Sequence, residues 1–223
     1  RPAMAHAWFF PAAALYASQG EGATVLTACT PMDIGDYPGG QIGDSAVLTN
    51  ADSVRLYKNG NYVTTLRTGD YPGLPHPPMI LDDIIGELLE TQEGFDEKKA
   101  DLLRACLLAV RKHGLTHLPP ADLARMGVAM TKYGLTFADA QKLYGKYVGN
   151  WGGESTVWRL DALKGGKVTS SVTLCPSAKL HLEVTPSHTE LTERDTYDMA
   201  AVRVRILDEY GSPAPYAQLP VTF

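Results

Sequence analysis

A histidine and a pair of aspartates form the most motif-like polar group in the sequence. His76 lies in a proline-rich stretch, residues 67–80, and Asp82 and Asp83 follow soon after it. Imidazole and carboxylate groups could line a pocket, where they would contact a sugar or border a substrate cleft. The structural alternative is that Asp82 caps a helix that begins there, where the helix dipole favours both acidic residues. Acidic residues are common in the first turn of helices, so the structural interpretation is favoured.

Two pairs of aromatic residues could form platforms that stack on a sugar ring. Tyr57 and Tyr62 face each other across a predicted hairpin, and Trp151 and Trp158 lie in a later segment. Stacking on a carbohydrate requires rings that are exposed on one surface. The alternative for both pairs is packing, which is favoured because aromatic pairs stabilise sheets without any ligand.

Other patterns typical of catalysis or metal binding are missing from the sequence. It contains no H-E-x-x-H, P-loop, G-x-G-x-x-G or G-x-S-x-G motif. His113 and His117 flank Gly114, which is expected to end a helix between them, so no zinc site is expected. Cys106 lies on an apolar helical face, which predicts a core thiol instead of a nucleophile. We therefore expect neither a metal nor a cofactor.

The elements that position these residues start with a β-hairpin in residues 47–66. Asn59 and Gly60 separate two β-rich runs and suit the positive φ angles of a two-residue type I′ turn. The register that follows pairs Lys58 with Asn61, Tyr57 with Tyr62, and Leu56 with Val63. Val54, Leu56 and Val63 then share one apolar face, which predicts a half-buried hairpin in a β-sandwich.

Residues 76–150 are predicted to form a proline-rich arm followed by a small α-helical bundle, inserted between sandwich strands. Apolar residues recur there at helical spacing and are interrupted by capping and stop signals. Four helices are predicted. The first starts at Asp82, and the second has Asp96 as its N-cap and ends at Gly114. The third starts at Pro120 and ends at Gly134, and the fourth begins with the capping pair of Thr136 and Asp139.

The β pattern returns after the helical insertion. Trp158 and Leu160 alternate with polar neighbours, so residues 151–176 are expected to rejoin the hairpin. Residues 41–75 and 151–176 would then form one discontinuous sandwich. Alternation in residues 180–184 and 202–206 predicts the start of a second sandwich within residues 177–223.

Four pieces of the sequence together resemble a known family. They are residues 16–19 (Y-A-S-Q), residues 49–60 (T-N-A-D-S-V-R-L-Y-K-N-G), residues 158–160 with 164–167 (W-R-L and K-G-G-K), and residues 198–211 (D-M-A-A-V-R-V-R-I-L-D-E-Y-G). In this order they resemble the region behind the catalytic barrel of glycoside hydrolase family 2, the β-galactosidases and their relatives. In the family these pieces stand at the barrel exit, in the hairpin and strands of an immunoglobulin-like domain, and at the start of the next sandwich. The middle third of the chain is not covered.

The resemblance implies immunoglobulin-like sandwiches, with residues 1–40 as the barrel-exit segment and first strand. In family 2 two glutamates on barrel strands hydrolyse the glycoside, and the acid/base follows an asparagine. This sequence has no Asn-Glu dipeptide and no strand–helix alternation that could build a barrel. The resemblance therefore implies a non-catalytic accessory region in carbohydrate metabolism, inactive alone, whose main partner is the barrel of the same polypeptide. No catalytic residue is assigned.

Charge and composition limit the other function classes. The 223 residues carry a net charge of −5, which gives no general attraction to nucleic acid or to an anionic membrane. No apolar run has the length of a membrane span, and three widely spaced cysteines predict reduced thiols, as in a bacterial cytoplasm. The chain begins at Arg1 and stops in an apolar stretch, which predicts a piece of a longer polypeptide.

Two alternative functions remain open. A carbohydrate-binding module would need the exposed aromatic platforms described above. A helix-turn-helix across residues 121–148 is the more remote alternative. Its second helix offers Gln141, Lys142 and Lys146, but no arginine or asparagine to contact base edges.

Overall fold

A computed structural model describes residues 11–32, 42–69, 71–149, 156–175, 179–193, 196–214, 217 and 219–222. These residues form three antiparallel sheets and five α-helices, a mixed fold rich in β-structure as the sequence predicts in outline. The strands are β1 (Leu26–Ala28), β2 (Ser45–Thr49), β3 (Ser53–Lys58), β4 (Asn61–Arg67), β5 (Met79–Leu81), β6 (Trp158–Lys164), β7 (Lys167–Leu174), β8 (His181–Pro186) and β9 (Val202–Leu207). The helices are α1 (Pro11–Ser18), α2 (Leu88–Glu93), α3 (Glu97–His113), α4 (Pro120–Tyr133) and α5 (Phe137–Tyr144), with a 3-10 turn at Leu115–His117 and a π-helical turn at Gly145–Gly149.

The largest sheet joins strands from both sides of the helical segment. Its strand order is β4-β3-β6-β7, and β3 pairs along its length with β6. Leu56 lies opposite Leu160, and Val54 lies opposite Ala162. A second sheet has the order β1-β2-β5, and β8 and β9 form a two-stranded sheet. The chain therefore leaves the largest sheet after β4, forms the helices, and returns to it at β6.

The hairpin turn matches its sequence prediction. Asn59 and Gly60 have φ angles of 49° and 80°, as the type I′ turn requires. Lys58 lies opposite Asn61, and Tyr57 lies opposite Tyr62.

Beyond the turn, the predicted pairing of Leu56 with Val63 is wrong. Leu56 lies opposite Thr64, because the register shifts between Leu56 and Tyr57. Val63 and Leu66 are both buried, although residues three apart on a regular strand point to opposite faces. A β-bulge adds one residue to β4 and allows both side chains to reach the core.

The helix predicted to begin at Asp82 is absent. Met79–Leu81 is instead strand β5, in which Met79 and Leu81 are buried and Ile80 is exposed. This alternation has the period of a strand, and a short apolar run does not by itself distinguish strand from helix. The first helix of the segment begins only at Leu88.

The later helix boundaries are confirmed, because each depends on a local signal, either a capping contact or a proline in the first turn. The Asp96 side chain accepts a hydrogen bond from the Lys99 N–H at 3.1 Å, as an N-cap does. The remaining confirmed signals are Gly114 after α3, Pro120 as the first residue of α4, Gly134 after α4, and a capping box formed by Thr136 and Asp139.

One apolar core joins the two larger sheets and the helices. The four-stranded sheet contributes Val54, Leu56, Val63 and Leu160, the three-stranded sheet contributes Val47, Met79 and Leu81, and the helical segment contributes Leu89, Leu103, Leu107 and Tyr147. By contrast, the β8–β9 hairpin has an apolar face that is partly open to solvent. Leu182 lies opposite Ile206 and Val184 opposite Val204, and the side chains of Leu182 and Val184 are exposed. The helical segment is therefore a structural part of the sheet core.

Candidate functional site

Asn50 fastens the segment that follows α1 to the three-stranded sheet. Its side chain is 2% exposed, and its Oδ1 accepts a hydrogen bond from the Val25 N–H at 2.9 Å. Its Nδ2 donates to the carbonyl oxygens of Gly20 at 2.8 Å and Ala23 at 3.2 Å. The neighbouring Thr49 hydroxyl donates to the Val25 carbonyl at 2.6 Å. Four side-chain hydrogen bonds thus hold a segment that has little regular structure of its own.

His76 belongs to the same junction. Gln19, just after α1, donates through Nε2 to the His76 carbonyl at 2.8 Å and accepts from the His76 N–H through Oε1 at 3.1 Å. The His76 Nε2 lies 3.2 Å from a carboxylate oxygen of Glu21. These contacts attach the proline-rich arm to the end of α1. A ligand-binding role for His76 remains a prediction.

The two aspartates make separate structural contacts. Asp82 is exposed, and its backbone carbonyl accepts a hydrogen bond from Arg111. The Asp83 Oδ1 accepts from the N–H groups of Ile85 at 2.9 Å and Gly86 at 2.8 Å. The prediction that Asp82 caps a helix is wrong, because α2 begins after this turn. Asp83 instead stabilises the turn between β5 and α2.

The tyrosine pair is half-buried and packs within the sheet. The rings of Tyr57 and Tyr62 meet edge to face, with centroids 5.9 Å apart. The Arg159 guanidinium lies 4.2 Å from the Tyr57 ring centroid, and the Tyr62 hydroxyl hydrogen-bonds the Thr65 hydroxyl at 2.8 Å. Both rings therefore have partners within the chain, and carbohydrate stacking on their exposed parts remains a prediction.

Trp158 has no exposed face. Its side chain is fully buried in the core, with the Lys58 ammonium 5.3 Å from the ring centroid. A ring in this position offers no surface to a sugar, so Trp158 is not a stacking platform. Its predicted companion, Trp151, lies outside the described residues.

A buried lysine links the hairpin to the helical segment. Lys58 is 7% exposed, and its Nζ donates to the carbonyl oxygens of Lys146 at 3.0 Å and Tyr147 at 3.3 Å. Burial, with the nearby Lys146 charge as a smaller cause, lowers the pKa of Lys58 to about 8. In the sequence Lys58 stands beside the hairpin turn, where a lysine is usually exposed. Its alternation with Val54 and Leu56 was the available sign that it points inward.

A second link joins the β-bulge to the turn before α2. The Val63 carbonyl accepts a hydrogen bond from the Glu87 N–H at 3.0 Å. Gly86 has a φ of +46°, and a Cβ built on it would lie 1.8 Å from the Val63 carbonyl oxygen. Arg104 of α3 donates to the Gly86 carbonyl at 2.7 Å. Only glycine satisfies this close approach without a shift of the backbone.

Arg111 of α3 makes a third link, to residues beside the three-stranded sheet. It is 5% exposed, and its Nε donates to the Ile42 carbonyl at 2.8 Å. Its guanidinium also lies 3.2 Å from an Asp44 carboxylate oxygen. Sequence reasoning did not identify Arg111, since its partners lie far away along the chain.

The helical segment also contains an apolar cavity of about 540 Å³. Residues of α3, α4 and α5 form its walls, among them Leu107, Met126, Met130 and Leu143. No motif in the sequence predicts this cavity, because a cavity depends on how closely the helices pack.

The α4–α5 hairpin, which suggested a helix-turn-helix, has cations with partners inside the chain. Arg125 is paired with Asp122, and Lys146 at the following turn is paired with Glu93. Cations that are paired in this way are less available to contact phosphates.

The described part of the chain shows neither of two common functional features. No group of three or more His, Cys, Asp or Glu side chains within it could hold a metal ion. None of its helices combines the length and the apolar character needed to cross a membrane.

No model of a known protein family matches this sequence, and comparison with curated proteins also gave no match. The described polar residues of the candidate site mainly connect structural elements to one another. This arrangement best supports a structural role, in which hydrogen bonds and ion pairs hold together segments that are distant in sequence.

Proposed function

We propose that this chain is a non-catalytic accessory region of a family 2, β-galactosidase-like glycosidase, and that it supports the catalytic barrel. The observation that carries the proposal is the junction formed by Gln19 and Asn50. Both belong to sequence pieces that resemble the family, the Y-A-S-Q and the T-N pieces. The Asn50 hydrogen bonds fix the segment from α1 to β1 against the three-stranded sheet, and the Gln19 hydrogen bond attaches the end of α1 to the proline-rich arm.

The arrangement of the sheets is compatible with immunoglobulin-like sandwiches. The two larger sheets contribute to one core, which is how a sandwich buries its inner faces. We infer that β8 and β9 begin the second sandwich, whose inner face would cover the exposed Leu182 and Val184.

The surface of α1 offers a place for the barrel to pack. The helix is rich in alanine, and Tyr16 on it is 82% exposed. An exposed apolar helix that is fixed to a rigid body suits contact with a neighbouring domain. In this proposal the barrel packs on α1, and the Asn50 junction sets the orientation of the barrel relative to the sheets. A bacterial cytoplasmic location is part of the same proposal.

The first test measures hydrolysis of o-nitrophenyl β-galactoside. We expect no turnover by the chain alone and turnover by the longer polypeptide encoded at the same locus. An inactive longer polypeptide, or one without a barrel, would overturn the proposal. Turnover by the chain alone would place the catalytic carboxylates inside it and would equally contradict the proposal.

The second test examines the junction in the longer polypeptide. Asn50→Ala leaves one N–H and two carbonyl groups without their side-chain partner, which costs about 2–4 kcal/mol of stability. We expect galactosidase activity to be lost faster on heating, with kcat/KM unchanged at low temperature. Asn61→Ala, at an exposed hairpin position, is the matched control. Equal inactivation rates for the two variants would argue against a supporting role.

A carbohydrate-binding module is the second candidate function. The half-buried Tyr57–Tyr62 pair with Arg159 beside it is the observation in its favour. Titration of the chain with galactose and lactose, followed by tryptophan fluorescence, tests this function. Saturable binding that Tyr62→Ala abolishes would support it, whereas no binding would leave the accessory role.

A further inference from the structure

We propose that the cavity between α3, α4 and α5 is a binding site for a neutral, apolar small molecule. Its volume of about 540 Å³ falls within the range of roughly 300–1,000 Å³ that is typical of small-molecule sites. This inference is independent of the proposed function, because the cavity residues take no part in the Asn50 junction.

The lining determines the chemical class of the ligand. Leucine, methionine, valine and phenylalanine side chains dominate it, and none of the described residues that line the cavity is charged. A charged group brought into such a cavity would lose its hydration without gaining a counter-ion, which is strongly unfavourable. The polar groups are few, namely the Cys106 thiol, the Gln141 amide and the Tyr144 hydroxyl. They suit a molecule with at most one or two uncharged polar atoms.

The size of the cavity argues against a simple packing defect. Protein interiors seldom contain voids much larger than a water molecule, since each void loses dispersion contacts. Here defined caps fix the ends of the surrounding helices: Gly114 ends α3, Gly134 ends α4, and the Thr136 capping box starts α5. Each of the three helices that line the cavity therefore has at least one end fixed by a local cap.

The cavity also has an entrance and an adaptable wall. Leu115 and Phe137 line it and are about half exposed, at 50% and 57%, so they mark its opening to solvent. Met126 and Met130 contribute flexible side chains, which adjust to the shape of a ligand more easily than branched residues do.

The test titrates the chain with N-phenyl-1-naphthylamine, a neutral dye that becomes fluorescent in apolar surroundings. We expect saturable binding of one molecule per chain in the micromolar range. The comparison ligand is 1-anilinonaphthalene-8-sulfonate, which adds a sulfonate to the same ring system. Because the lining has no cation, the sulfonate should bind at least about tenfold more weakly.

A matched pair of variants locates the site. Ala140→Phe places a ring in the cavity and should weaken binding of the neutral dye at least about tenfold. Val128→Phe adds the same ring to α4 at an exposed position that does not line the cavity, and it should leave binding unchanged. Circular dichroism melting curves check that both variants fold like the original chain.

A measurement on the unaltered chain gives independent evidence. Cys106 lines the cavity and is 7% exposed, so bound dye should slow its reaction with 4,4′-dithiodipyridine. Peptide mass spectrometry separates Cys106 from Cys29, whose reaction rate should not change.

Three outcomes would overturn the proposal. One is the absence of saturable binding. Another is binding that is equal for Ala140→Phe and Val128→Phe with no protection of Cys106, since the dye would then sit elsewhere. A third is self-association that Ala140→Phe removes, without dye binding, which would assign the cavity to a second copy of the chain.

Discussion

Replacement of Gly86 by alanine tests whether the helical segment is locked to the β-bulge. The added Cβ would lie 1.8 Å from the Val63 carbonyl oxygen, so the backbone of β4 or of the turn before α2 must move. The movement would break the hydrogen bond from the Glu87 N–H to Val63 and disturb the one from Arg104 to residue 86.

The expected loss of stability follows from these contacts. A non-glycine residue at positive φ costs about 1–2 kcal/mol. The lost backbone hydrogen bond adds about 1 kcal/mol. Displacement of the buried Ile84 and Ile85, which flank this turn, adds at least about 1 kcal/mol more. We therefore expect Gly86→Ala to lower the free energy of unfolding by about 3–4 kcal/mol.

Gly94→Ala is the matched control. Gly94 also has a positive φ, of 67°, but a Cβ there meets no atom within 4 Å. Gly94→Ala should therefore show only the conformational cost of positive φ, about 1–2 kcal/mol. Urea denaturation followed by circular dichroism and tryptophan fluorescence measures both variants. If the two lose the same stability within about 0.5 kcal/mol, the contact between Gly86 and Val63 does not contribute as argued.

Two further predictions concern Lys58 and Asp96. The pKa of Lys58 is about 8 in the folded chain against 10.5 ordinarily, so the folded state binds fewer protons between these values. Stability should then rise with pH across that window, by up to about 3 kcal/mol, and Lys58→Met should remove this rise. Urea denaturation at several pH values from 7 to about 10 measures the free energy of unfolding of both proteins. If this free energy changes with pH equally in the original chain and in Lys58→Met, the prediction is refuted. Asp96→Ala should cost about 1 kcal/mol by removing the N-cap of α3, whereas Asp96→Asn should cost little; equal losses would contradict the capping role.

Features that depend on neighbouring residues were predictable from the sequence. The Asn59-Gly60 turn, the Asp96 cap and the Pro120 helix start each use signals within a few positions of one another. The bulge at Val63 was not predictable, because it depends on the close approach of Gly86 from another segment. Likewise, Met79–Leu81 becomes a strand because β2 is available to pair with it.

The candidate site was harder to predict than the elements. His76 was identified as a polar residue of interest, but its partner Gln19 lies 57 positions away. The burial of Lys58 depends on carbonyl groups of a π-helical turn 88 and 89 positions later. A lysine beside a hairpin turn is usually exposed, so only a tertiary contact reveals this one.

The pairing of β3 with β6 has a consequence for how the chain is synthesised. The edge of β3 that later binds β6 leaves the ribosome about 100 residues before its partner, a delay of roughly 5–20 s at an elongation rate of about 5–20 residues per second. During that time an unpaired strand edge could bind other nascent chains. The helices of the inserted segment form through local contacts and can cover the inner face of the hairpin while β6 is still being made. The helical segment would then protect the unfinished sheet from association with other nascent chains during translation.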